Sequence, residues 1–80
     1  MPANPQLDFV LIEIELGITF AEISLTAYGS GHVEHGDSAK ANAITAMESA
    51  KHFMMYLGAD GQQIARARLP RLEELLKVLA

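Results

Sequence analysis

Between residues 6 and 28 the apolar positions recur on two sides of a helix rather than one. At about 100° per residue, Asp8, Glu15, Thr19, Glu22 and Thr26 fall on one narrow polar line. Phe9, Ile12, Leu16, Phe20, Ile23 and Ala27 flank that line on one side, and Leu7, Val10, Leu11, Ile14, Ile18, Ala21, Leu25 and Tyr28 on the other. A thin seam of Glu13, Gly17 and Ser24 divides the two flanks behind. A helix of this kind has to be covered from two directions.

The boundaries of the predicted elements follow from capping chemistry. Pro2 and Pro5 keep the first residues extended, and Asn4 caps helix 1 with Pro5 at its first position, where a missing N–H costs nothing. Gly29, Ser30 and Gly31 end the helix, glycine being suited to the left-handed closing turn. A connection from Gly29 to Gly36 then leads to helix 2 at about 38–57, capped by Asp37 or Ser38 and stopped by Gly58. Its core stripe reads Ala39, Ala43, Ala46, Ala50, Phe53 and Leu57, with Met47 and Met54 beside it and Asn42, Thr45, Glu48, Ser49 and His52 on the polar side. The stripe tapers. Alanines near the loop predict close backbone approach to the Ile18 to Tyr28 end of helix 1, and Phe53 to Leu57 hold the Leu7 to Ile14 end apart.

Asp60 with Gln63 forms a capping pair for helix 3, at about 61–79, whose apolar line is Ala65, Leu69, Leu72, Leu76 and Leu79. Pro70 removes a donor and disfavours helical geometry at Leu69, which predicts a kink near 70 or two short helices. The piece from Leu69 to Val78 would reach only about 15 Å against roughly 35 Å for helix 1, too short to cover the second apolar flank. The expected architecture is therefore an all-α single domain over residues 1–80. It comprises a long antiparallel helical hairpin and a short Pro-interrupted third helix, a bundle completed by dimerisation.

Composition sharpens the case for a homodimer. A fold of 80 residues hides only about 60–65% of its unfolded surface, and with no cysteine neither a disulfide nor a thiolate-held metal supports it. Oligomerisation is the remaining common support. The formal charge of −4 argues against nucleic acid and acidic membrane surfaces as partners. Glu13, Glu15 and Glu22 interrupt any membrane span, and the first residues lack the basic start of a signal peptide, so a cytoplasmic location is expected.

Candidate chemistry is sparse. His32, Glu34, His35 and Asp37 cluster in the expected hairpin loop, where imidazole and carboxylate suit a divalent metal. His32, His35 and Asp37 are the candidate ligands, set against a plain solvated loop. Glu48 and His52 are four apart rather than the three apart of carboxylate-bridged di-iron bundles. Met47 and Met54 read as core filling, whereas Met55 points elsewhere and with Ile44 makes an outward apolar patch, a candidate partner contact. Arg66, Arg68 and Arg71 point in different directions and are placed to pair with Asp8, Glu15 or Glu22. Gly29-Ser30-Gly31 lacks the context of a phosphate loop, no nucleophile arrangement stands out, and no catalytic residue or cofactor is assigned.

The hairpin from about Phe20 to Lys51 resembles a single tetratricopeptide repeat. Ser24 takes the place of the small residue on the first helix, Gly31 that of the turn glycine, and Ala39, Ala43 and Ala46 those of the close-packing alanines. The match needs an insertion of about three residues between Gly31 and Ala39, and the family's closing proline is missing. The resemblance implies a protein-interaction scaffold that self-associates, since a solitary repeat cannot bury its own face. The function expected is thus a small non-enzymatic interaction or adaptor module, with an unidentified protein partner. The competing expectation is a metal or small-ligand binding protein using the His32/His35 loop.

Overall fold

The computed structural model describes residues 4–80, which form three α-helices: α1 (Pro5–Gly29), α2 (Val33–Met54) and α3 (Ala59–Leu79). The expectation for Pro2 lies outside the described residues. At the start of α1 the Asn4 side-chain oxygen accepts from the Leu7 N–H at 3.1 Å, and Pro5 occupies the first helical turn. At its end Gly31 adopts φ +80°, the His32 N–H donates to the Ala27 carbonyl at 2.8 Å, and the Gly31 N–H donates to the Tyr28 carbonyl at 3.1 Å. These two bonds satisfy carbonyls that the last helical turn leaves free.

The reversal is shorter than expected. Only Ser30, Gly31 and His32 separate the helices, so α2 starts at Val33, and Asp37 and Ser38 lie inside it rather than capping it. The reason is tertiary. Ser24, wholly buried, donates its hydroxyl to the Gly36 carbonyl at 2.7 Å, and the Tyr28 ring lies so close over Gly36 that a Cβ there would come within 2.7 Å of it. These contacts hold the first turn of α2 against α1.

The two helices then pack antiparallel along small residues. Val10, Ile14, Gly17, Ala21, Ser24 and Ala27 are buried on α1, and Gly36, Ala39, Ala43, Ala46, Ala50 and Met54 on α2. The seam of Gly17 and Ser24 is therefore part of the buried face of α1, not a divider at its rear, because absent or short side chains let a second backbone approach. A Cβ on Gly17 would stand 3.5 Å from the Ala43 carbonyl oxygen. Beyond the alanines, the partly exposed rings of Phe9 and Phe53 meet edge to face with centroids 5.1 Å apart.

Two core assignments change because of where α3 lies. Met54 is buried and Phe53 is 42% exposed, the reverse of the expected stripe, since α3 packs on the Met54 side of α2. On α3, Leu75 is buried and Leu76 only partly so. Gly58, with no side chain to cap, is the N-cap residue of α3 in place of the Asp60 and Gln63 pair, and the Gln62 amide instead donates back to the Leu57 carbonyl at 3.0 Å.

α3 is one continuous helix, not two. Pro70 faces solvent, so the Arg66 carbonyl that loses its N–H partner there is open to water, and the interruption costs less than a buried one would. At 21 residues the helix is about 30 Å long and does run along α1, with the Leu72 side chain over Gly17. Arg68 meets Glu15 at 3.3 Å and Arg71 meets Glu22 at 4.0 Å. All four groups are more than half exposed, so the pairs orient α3 more than they stabilise it. α3 thus covers the side of α1 bearing Leu7, Ile18 and Leu25. It leaves the Phe9 side open.

A candidate contact surface on α1

The open side is continuous. Phe9, Ile12, Leu16 and Ile23 are 41%, 56%, 43% and 38% exposed, with half-buried Phe20 between the last two. At spacings of three and four they stand in one row along the helix. The row continues onto the end of α2, where Phe53 lies against Phe9 and Tyr56 is also exposed. His52 stacks edge to face on Phe53 at 4.9 Å and on Tyr56 at 5.8 Å. Together with Pro5, Gln6 and Phe9 these three side chains line an open cleft of about 580 Å³.

At roughly 200 Å² for each large side chain, the exposed fractions of Phe9, Ile12, Leu16, Ile23, Phe53 and Tyr56 leave on the order of 550 Å² of apolar surface in contact with water. That lies at the upper end of the largest patch on an ordinary monomer, about 300–600 Å². The aromatic end departs from the sequence expectation, which places His52 on the polar side of helix 2 and Phe53 in its core. The signal for it is the spacing of His52, Phe53 and Tyr56, which sets three rings on one turn.

The histidine cluster is rearranged. His32 precedes α2 and His35 belongs to its first turns, so they do not share a loop. Both line a shallow depression with Glu22, Ile23 and Thr26, whereas Asp37 is engaged by the Tyr28 hydroxyl, which donates to its carboxylate. Among the described residues no three His, Cys, Asp or Glu side chains stand close enough together to hold a metal ion. The hairpin contacts that start α2 early have drawn Asp37 away from His32 and His35.

Ile44 and Met55 are both exposed, at 37% and 72%. Eleven residues of mostly helical chain separate them by about 16 Å, and Met55 borders a groove with Lys51, Gln62 and Arg66. They are two separate points on the outer side of α2, not one patch. Glu48 is exposed, and His52 turns toward the aromatic rings. Arg66 donates to Gln62 at 3.2 Å and takes no part in the pairing with α1 that Arg68 and Arg71 make.

Tyr28 carries a pH signature. The hydrogen bond to Asp37 raises its pKa above the usual 10, and desolvation and the Asp37 charge act in the same direction. A raised pKa favours the protonated phenol in the folded state, so this contribution is complete below the unfolded value and is lost as pH rises through the folded one. In a Tyr56→Phe background, which leaves Tyr28 as the sole tyrosine, ultraviolet titration should give a phenol pKa above the usual 10, and Asp37→Asn should lower it. An unchanged value in the Asn variant would mean that the bond does not form in solution.

Among the described residues no helix is long and apolar enough to cross a membrane. Comparison with models of protein families, with curated proteins and with solved structures finds no match to this chain.

Proposed function

We propose that the protein is a small non-enzymatic interaction module that works as a homodimer, with the uncovered row from Phe9 to Ile23 on α1 as its principal contact surface. One observation carries the reading: α2 and α3 cover the other apolar flank of α1 and leave this row wet. An apolar face of this size favours covering by a partner, by about 25 cal/mol for each Å² removed from water. The tetratricopeptide-like character of the hairpin agrees with a scaffold role, and the acidic chain suits a protein partner in the cytoplasm better than nucleic acid. Ile44 and Met55 remain outward-facing on α2 and available to a further protein.

Light scattering across a concentration series tests the proposal. The mass should rise toward that of two chains in the micromolar range, with helicity unchanged by circular dichroism. A fully helical chain that stays monomeric at those concentrations would overturn it.

A further inference from the structure

We infer that two copies pair through this row with their α1 helices antiparallel and a two-fold axis passing beside Leu16. The inference rests on the homodimer reading and adds its geometry.

The first support is the spacing. Phe9, Ile12, Leu16, Phe20 and Ile23 are separated by three, four, four and three residues, a series that reads the same in both directions about Leu16. Reversing one helix against its copy sets Phe9 opposite the partner's Ile23, Ile12 opposite the partner's Phe20, and Leu16 opposite the partner's Leu16. Every layer off the axis then joins one phenylalanine to one isoleucine, and the axial layer joins two leucines. The layers have similar volumes, so two straight helices pack at a constant separation. A parallel pair in register would stack phenylalanine on phenylalanine and isoleucine on isoleucine. Its wide and narrow layers would leave voids or clashes at the density of a protein interior.

The second support is electrostatic. A two-fold axis perpendicular to the helices brings the same edge of each copy together, which sets the line of Asp8, Glu15 and Glu22 beside its counterpart. Like charges would oppose this, but Arg68 and Arg71 already meet Glu15 and Glu22 on that edge. At the opposite edge, Phe53 follows Phe9 toward the hairpin end of the partner. The extent is also sufficient: on the order of 550 Å² of apolar side chain, with its polar margins, approaches the roughly 800 Å² per partner of a standard interface.

Because the chain has no cysteine, single spin labels report the geometry directly. Thr26 is exposed on the polar line, outside the row, and lies ten residues from Leu16. In the antiparallel pair, labels on Thr26→Cys should be about 30 Å apart along the helices, and labels on Asp8→Cys about 24 Å apart. A parallel pair in register would bring both down to about the 8–10 Å between helix axes. Distances near these two longer values in samples shown by light scattering to be dimeric support the inference. Short distances at both sites, or any other pair of values, in a dimeric sample overturn the antiparallel register and leave the homodimer standing. A monomeric sample overturns both.

Discussion

Replacing Leu72 with alanine should destabilise the protein by about 3 kcal/mol, within the range of about 2–5 kcal/mol for emptying a buried leucine site. Leu72 is wholly buried, and what lies beneath it is a glycine. A Cβ at Gly17 would come within 2.6 Å of Leu72 Cδ2, so the leucine fills the volume that position 17 leaves vacant. Once it is gone, no side chain at 17 can lean into the space. For a domain of this size the midpoint of thermal unfolding should fall by roughly 15 °C or more. The same geometry predicts a coupling. In the wild-type background, Gly17→Ala gains about 1 kcal/mol of helix propensity but forces Leu72 to move, and the two effects oppose each other. In the Leu72→Ala background the added methyl enters the void and the gain is retained. A double-mutant cycle by chemical denaturation should therefore show that Gly17→Ala is more favourable in the Leu72→Ala protein than in the wild type. Equal effects in both backgrounds would mean that Leu72 does not sit on Gly17.

Replacing Leu16 with glutamate should weaken self-association by about 100-fold or more while leaving the fold intact, because an uncompensated buried charge costs several kcal/mol. Leu16 is already 43% exposed in the single chain, so a charge there meets water, and glutamate is a good helix former. In the proposed pair two copies of residue 16 meet on the axis. Two carboxylates would then be desolvated face to face, each without a partner. Ile44→Glu is the matching control, since Ile44 faces outward on α2 away from the row. Sedimentation equilibrium and circular dichroism together read the outcome. Equal association of the Leu16→Glu protein and the wild type would remove the α1 row from the interface.

Much of the fold is legible from local chemistry. Asn4 and Pro5 open α1 and Gly31 closes it, because a side-chain acceptor, a missing donor and a left-handed turn are properties of those residues themselves. The alanine stripe of α2 is legible for a similar reason: helical spacing aligns small residues whatever they pack against. Structure and local expectation part where one helix is set against another. Phe53 and Met54 are adjacent and both apolar, and which of them is buried depends on the side from which α3 approaches. The start of α2 lies at Val33 rather than near Ser38 because Ser24 and Tyr28, both on α1, hold Gly36. The grouping of His32, His35 and Asp37 assumes a loop, and helix formation directs Asp37 to Tyr28 instead.

Pro70 marks the limit most clearly. Read locally, it argues for a kink or two short helices, and for a third helix too short to cover the second flank of α1. In the structure it lies on the solvent side, where a free carbonyl finds water, and α3 continues to shelter one flank of α1. Sequence alone determined that the chain is helical, where α1 begins and turns, and that α1 carries more apolar circumference than a single neighbour can cover. Helical periodicity and capping are properties of short stretches, independent of what lies nearby. Only the tertiary structure decided which flank α3 takes, that the Gly17 and Ser24 seam is buried, and that the row from Phe9 to Ile23 stays open. Those outcomes depend on how three surfaces fit in space, and side-chain volume matched across a contact leaves no trace in the spacing of either partner read separately.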